Sequence, residues 1–207
     1  MPYSRSAFEV DYEAVTGAAY SRQGRSVAWQ VYTGALQTPL KMQVFGRHIR
    51  GRDGKIIAKS EQGQAGITQD EMNNFKHPVS DAANSRQGVS ILNVDEWSLT
   101  VNDSWVCGGV HGRQPFHAAS PLIDDNIFDR TFLLTVTGRE MVGLALAGYR
   151  KATGNPKLGT VFQPTQTAKT EGLTLATYKA KIDELNTRDL ARVFLVKSGM
   201  ISEDFSI

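Results

Sequence analysis

Hydrophobic and polar residues alternate along much of the first half of the chain, and this pattern predicts strands. Val27, Trp29 and Val31 fall on one face of the segment 26–32, which we therefore expect to be extended. Asp53 and Gly54 lie between two β-prone runs and favour a hairpin. The strands predicted from these patterns cover 26–32, 42–49, 55–59, 90–94, 97–101, 104–110 and 131–136.

Helical spacing replaces this alternation in the second half of the chain. Thr137 and Glu140 have the spacing of a capping box, in which side chain and backbone cap each other. Met141, Leu144 and Ala145 then recur at helical intervals, which predicts a helix over 138–152. The remaining predicted elements are helices over 68–74, 175–185 and 187–197 and a strand over 160–163.

These elements belong together in the α+β class. We expect a mixed or antiparallel sheet, with hairpins in the N-terminal half and helices concentrated in the C-terminal half. A chain of 207 residues is long enough to bury a substantial core, so we expect a single domain over 1–207. The polar loop 77–88 is the best internal subdomain boundary.

Composition narrows the environment in which this chain works. The longest nearly uncharged apolar stretch, 141–149, is too short to cross a bilayer, and no hydrophobic signal core follows Met1. We therefore expect a cytoplasmic protein, or one exported without a cleavable signal peptide, that does not bind membranes. Cys107 is the only cysteine, which excludes an intrachain disulfide and a thiolate zinc site. The four histidines form no HExxH pattern, and no metal is expected.

Positive charge concentrates on the predicted hairpin, over residues 47–59. The formal net charge of +2 is too small to indicate nucleic-acid binding by itself, but clustered cations bind phosphate. Arg47, Arg50, Arg52 and Lys55 therefore predict phosphate or nucleic-acid binding. The alternative is that these charges keep an exposed strand edge from pairing with other chains.

Glycines surround His111 more densely than any other histidine. Gly108, Gly109 and Gly112 allow a ligand to approach the backbone closely, which makes this segment the leading candidate site. The alternative is architectural, with the glycines forming a bulge or turn. Cys107 and His111 are not expected to act as a nucleophile and its base. In an extended strand they lie about 13 Å apart, which is too far for a hydrogen bond.

The segment 104–176 resembles the mono-ADP-ribosyltransferase toxins and poly-ADP-ribose polymerases, in which a strand ends in His-Gly. His111 and Gly112 match that motif, with Arg113 next to it, and Tyr149 and Glu171 follow. The resemblance implies that NAD is the substrate, bound in part by Gly112 and Arg113. It further implies that His111 holds a ribose hydroxyl, Tyr149 stacks on nicotinamide and Glu171 stabilises the ribosyl cation.

Three functions follow from these patterns. The resemblance implies a bacterial-type effector or toxin enzyme that transfers ADP-ribose to an unknown protein target or cleaves nicotinamide from NAD. The second function is a non-enzymatic structural or interaction protein within a homo-oligomeric assembly. The third is phosphate or nucleic-acid binding through the basic hairpin.

Overall fold

A computed structural model describes residues 3–21, 26–36, 98–118, 122–131, 133–152 and 160–203, together with the backbone of four short strands between 42 and 76. Within these ranges the elements are, in chain order, α1 (Arg5–Thr16), α2 (Val27–Leu36), β1 (Met42–Phe45), β2 (His48–Arg50), β3 (Ile56–Ala58), β4 (Phe75–Lys76), α3 (Leu99–His111), β5 (Phe116–Ala118), α4 (Asp124–Ile127), α5 (Val136–Leu146), β6 (Tyr149–Lys151), β7 (Val161–Pro164), a 3-10 turn (Thr170–Gly172), α6 (Leu175–Glu184) and α7 (Arg188–Lys197).

The larger of two sheets is mixed, with the strand order β4-β1-β5-β7-β6. Strand β1 runs parallel to β4 and β5, whereas β7 runs antiparallel to β5 and β6. The α+β class and the mixed sheet are therefore confirmed. Helices are not confined to the C-terminal half, because α1 and α2 lie within the first 36 residues.

The predicted hairpin is confirmed in a shortened form. Strands β2 and β3 pair antiparallel, with His48 opposite Ala58 and Arg50 opposite Ile56. Residues 42–45, which we assigned to the same hairpin, instead form β1 in the larger sheet, where Gln43 lies opposite Phe116. The turn at 51–55 lies outside the described residues, as do the predicted helix 68–74, the boundary loop 77–88 and the strand 90–94.

Three predicted strands are helices. Segment 26–32 belongs to α2, because Ala28, Val31 and Ala35 share a buried face at helical spacing. Residues 99–101 of the predicted strand 97–101 and all of 104–110 belong to α3, whose residues from Val101 to Val110 are all buried. A helix buried on every side shows no amphipathic period, so its apolar run cannot be distinguished from a buried strand. The Ser98 side chain accepts a hydrogen bond from the Val101 amide and caps α3.

The predicted strand 131–136 is also wrong. Only a single β-bridge, Phe128 to Leu134, occurs in its described part, and α5 begins at Val136. Thr135 caps this helix by accepting a hydrogen bond from the Gly138 amide, so the helix starts two residues before the predicted position. It ends at Leu146, ahead of Gly148 with a φ of 81°, and the chain continues as β6.

The C-terminal predictions are confirmed: residues 160–163 coincide with β7, and the last two predicted helices are α6 and α7. Buried side chains from the helices and from the larger sheet form one core cluster, which includes Trp105, Phe116 and Tyr149. Helices α2 and α3 pack closely because Gly108 has no side chain. A Cβ atom at this position would lie 2.2 Å from the Tyr32 carbonyl oxygen. This close approach fixes the position of the last turn of α3.

Candidate functional site

Helix α3 ends at the segment that carries the sequence-predicted site. The backbone N–H of Gln114 donates to the Gly109 carbonyl, and the backbone N–H of Arg113 donates to the Val110 carbonyl. This pair of bonds is the Schellman pattern of helix termination. Arg113 adopts a φ of 53° where glycine is usual. Its guanidinium donates 3.0 Å to the Thr165 carbonyl and holds the β7-α6 connection against the helix end. Arg113 is thus occupied by its own chain.

Both ring nitrogens of His111 make hydrogen bonds inside the protein. Nε2 lies 2.8 Å from the Leu173 carbonyl oxygen, and Nδ1 lies 2.9 Å from the Tyr32 hydroxyl. A carbonyl oxygen only accepts, so Nε2 carries the proton, and Nδ1 accepts from Tyr32. The Tyr32 oxygen in turn accepts from the Tyr3 amide at 2.9 Å. This chain of bonds holds the imidazole in one neutral tautomer.

Burial lowers the pKa of His111, although the hydrogen bond to the Leu173 carbonyl acts in the opposite direction. The charge of the N-terminal amine lowers this pKa further, and the negative charge of Glu171 raises it. Glu171 itself is exposed in the 3-10 turn, two residues before Leu173. His111 therefore bonds to the backbone of the segment that carries Glu171.

An N-terminal segment closes the other side of His111. The Tyr3 ring lies 5.2 Å from the imidazole, centroid to centroid. Its hydroxyl donates to Asp11 at 2.6 Å, and Asp11 also accepts from the amides of Leu175 and Ala176. Asp11 thereby places a carboxylate at the positive N-terminal end of α6. The space beside His111 is filled by the protein's own phenol.

Tyr149 does not present its ring to solvent. Its side chain is fully buried, its hydroxyl donates 2.9 Å to the Gln114 carbonyl, and its ring packs edge-to-face against Phe116. It lies on β6 and not on a helix. Gly112 packs against α2, where an added Cβ would lie 2.7 Å from the Leu36 carbonyl oxygen. The contacts described for these two residues are therefore structural.

A buried charged cluster lies between α3 and α5, and it was not predicted from the sequence. Asp103 pairs with Arg139 at 2.6 Å, and Glu140 is 1% exposed beside them. Burial raises the pKa of Asp103 to about 6, although the guanidinium opposes this. The Tyr178 hydroxyl donates to the Arg139 carbonyl at 2.5 Å. The available signal was the polar pair Asn102 and Asp103 inside an otherwise apolar run.

Cys107 lies one helical turn after Asp103 and is completely buried. Burial raises the pKa of its thiol, and the charge of Asp103 adds to this effect. The thiolate that nucleophilic chemistry needs is therefore disfavoured.

Within the described ranges, no group of three or more His, Cys, Asp or Glu residues could hold a metal ion. The same part of the chain contains no helix long and apolar enough to cross a membrane.

The side chains of the basic hairpin, Arg47, Arg50, Arg52 and Lys55, lie outside the described part of the structure. Nucleic-acid binding through them therefore stays a prediction.

Comparison of the chain with models of known protein families, with curated proteins and with solved structures finds no match. The geometry of the molecule therefore carries the functional argument.

Exposed hydrophobic residues concentrate on two neighbouring segments. Asp124, the first residue of α4, forms an ion pair with Arg188, the first residue of α7. The Arg188 guanidinium also lies 5.6 Å from the Phe128 ring centroid. Four of the six large hydrophobic side chains exposed in the described residues belong to the segments that meet here. These four residues are Ile123, Leu133, Leu190 and Val193. We call the pair Leu190 and Val193, which lie one turn apart on the exposed side of α7, the apolar face.

Proposed function

We propose that this protein acts through protein-protein contact, as a subunit of a homo-oligomeric assembly, and does not act by catalysis. The observation that carries this proposal is the contrast between the two candidate surfaces. Both ring nitrogens of His111 bond to their own chain and the Tyr149 ring is buried, whereas the apolar face is open to water. Leu190 is 50% exposed and Val193 is 51% exposed.

The hydrogen bonds around His111 support the first half of this contrast. An imidazole that binds a ribose hydroxyl needs a free ring nitrogen, but Tyr32 and Leu173 occupy both. A tyrosine that stacks on nicotinamide needs an open ring face, but Tyr149 is fully buried. In the described structure these side chains connect helices and strands.

The apolar face supports the second half. Single exposed hydrophobic residues are common on monomers, whereas a cluster of them marks an interaction surface. Covering a large aliphatic side chain contributes about 1.5–3 kcal/mol when it was fully exposed before. The half-exposed residues of this face would each contribute a fraction of that value. Self-association is therefore expected to be reversible and dependent on concentration.

Light scattering over a wide range of protein concentration tests this function. We expect the average mass of the wild-type protein to rise with concentration. The double variant Leu190→Ser/Val193→Ser should stay monomeric at the same concentrations. Val10→Ser is the matched control, because Val10 is 68% exposed but lies on α1. A wild-type protein that remains monomeric throughout would overturn the proposal.

ADP-ribosyl transfer is the second candidate function, and one observation favours it. Glu171 belongs to the segment whose Leu173 carbonyl bonds to His111, so the two residues that the resemblance names lie on neighbouring segments. Incubation with NAD, with and without added protein targets, should then release nicotinamide. Glu171→Gln should abolish this release, because the resemblance assigns Glu171 to stabilisation of the ribosyl cation. Glu171 is exposed, so its replacement leaves the core intact. Absence of nicotinamide release in every mixture would exclude this function.

A further inference from the structure

Helix α7 presents two different faces. Ala191 and Leu195 are buried and attach the helix to the core. At about 3.6 residues per turn, the positions 189, 190, 193 and 197 cover about a third of the circumference on the opposite side. All four are exposed: Asp189, Leu190, Val193 and Lys197. We call these four residues the outer face of α7.

Charges on the outer face are arranged symmetrically about its centre. Asp189 lies four positions before Val193, and Lys197 lies four positions after it. In the described part of the chain neither side chain forms an ion pair. Leu190 and Val193 occupy the region between them. An acid, an apolar centre and a base therefore follow one another along one line of the helix.

This arrangement is complementary to itself when one copy is turned around. In an antiparallel pair of identical helices with a two-fold axis beside Val193, each position before 193 faces the equivalent position after 193 on the other copy. Asp189 of one copy then lies opposite Lys197 of the other, and the same contact occurs twice. A parallel pair would instead place Asp189 against Asp189 and Lys197 against Lys197, which is repulsive.

We propose that α7 mediates an antiparallel two-fold dimer, in which the outer face binds the outer face of a second copy. This inference rests on the proposed assembly function and names its surface. The ten residues of α7 span only about 15 Å. One such helix pair buries less than the roughly 1,200 Å² of a standard interface, so the dimer is expected to be weak, with a Kd in the micromolar range or above.

Charge exchange tests the pairing. Asp189→Lys creates two repulsive Lys-Lys contacts per dimer and should weaken dimerisation about tenfold, as should Lys197→Glu through two acidic contacts. An equal mixture of the two variants restores opposite charges at both ends of a mixed dimer. The mixture should therefore associate more tightly than either variant alone. Asp183→Lys, an exposed acid on α6, is the matched control and should leave the Kd unchanged.

The swapped charges also reverse the favourable placement of an acid at the start of α7 and a base at its end. Circular dichroism should therefore establish that each variant is folded. Val193→Cys provides a second test that leaves these charges in place. Because Val193 lies beside the two-fold axis, mild oxidation should join two copies through a disulfide. Val10→Cys is the control, and the buried Cys107 should not react in either protein.

The outcomes separate this inference from the proposed function. A restored mixture together with selective cross-linking at position 193 supports the two-fold dimer. If the wild-type protein self-associates but neither charge exchange nor Val193→Cys shows an effect, the α7 pairing is wrong and the assembly function stands. If the wild-type protein stays monomeric and Val193→Cys does not cross-link, both are overturned.

Discussion

The Tyr32 hydroxyl donates a hydrogen bond to Nδ1 of His111 and thereby joins the middle of α2 to the last residue of α3. Nε2 of the same ring extends the connection to Leu173, immediately before α6. A single side chain thus links three parts of the chain that are distant in sequence. The imidazole at the centre of the sequence-predicted catalytic site has a structural role in the described molecule.

Replacing His111 with glutamine should lower the free energy of unfolding by about 1–3 kcal/mol at neutral pH. The physical reason is that Tyr32 and Leu173 would then contain partly buried polar atoms without a well-placed partner. Urea unfolding of the two proteins measures this difference. A variant with wild-type stability would show that the two hydrogen bonds contribute nothing to the fold.

His111 should also make stability depend on pH. Its pKa in the folded protein lies below the ordinary value of 6.5, so the unfolded chain binds the proton more readily. The stabilising contribution is complete above pH 6.5 and is lost as pH falls through the folded-state pKa. The stability difference between wild type and His111→Gln should therefore shrink as pH is lowered. A difference that stays constant between about pH 8 and pH 5 would contradict this role.

Asp103 should produce a pH dependence of the opposite sign. Its pKa of about 6 in the folded protein lies above the ordinary 3.8, so its contribution to stability is present below pH 3.8 and is lost as pH rises through 6. Asp103→Asn removes this dependence. It also removes the partner of the buried Arg139 guanidinium, which should cost about 3 kcal/mol. Unfolding curves of this variant at several pH values measure both effects.

The double variant Asp103→Leu/Arg139→Met is the companion measurement for the buried pair. Because neither charge is left without its partner, the double variant should be less destabilised than the sum of Asp103→Leu and Arg139→Met. Additive losses would show that the two side chains do not stabilise each other.

Gly108 should tolerate no side chain. Gly108→Ala places a Cβ atom against the Tyr32 carbonyl of α2, and the required separation of the two helices should cost about 1–3 kcal/mol. Gly34→Ala is the matched control within α2, because no atom lies within 4 Å of its added Cβ. That variant should be neutral or stabilised by up to about 1 kcal/mol. Equal melting temperatures for both variants would show that close approach at Gly108 is not required.

Asp11 should matter more than its position on a surface helix indicates. Asp11→Ala removes the acceptor for two amides at the start of α6 and for the Tyr3 hydroxyl, with an expected cost of about 1–2 kcal/mol. Asp183→Ala removes only an exposed ion pair with Lys179 and should cost less than about 0.5 kcal/mol. Thermal unfolding of both variants tests the difference. A larger effect at Asp183 would contradict the capping role of Asp11.

Elements with their own local signals could be predicted from the sequence. Thr174 and Thr187 immediately precede helices α6 and α7 and cap them through their side chains, and both helices have amphipathic spacing. Helix α3 carries no such spacing because it is buried on every side. Its packing against α2 at Gly108 depends on residues more than seventy positions apart, and no local pattern encodes that contact. The pattern therefore located α6 and α7 and misassigned α2 and α3.

The role of the candidate site residues depends on distant contacts in the same way. Glycines and a histidine are visible in one short window of the sequence, and in the structure His111 bonds to the segment that carries Glu171. Tyr32 and Leu173 hydrogen-bond to His111 and lie 79 and 62 positions from it in the sequence. Whether an imidazole is free or already bonded depends on such distant partners, so the sequence alone could not decide its role.

Sedimentation equilibrium of the wild-type protein, beside Leu190→Ser/Val193→Ser, tests the central claim most directly. If the protein acts as an assembly subunit, the wild type should fit a reversible monomer-dimer equilibrium and the double variant a single monomeric species. Two superimposable monomer profiles would contradict the claim, as would two equally associated profiles, because the apolar face would then not mediate assembly.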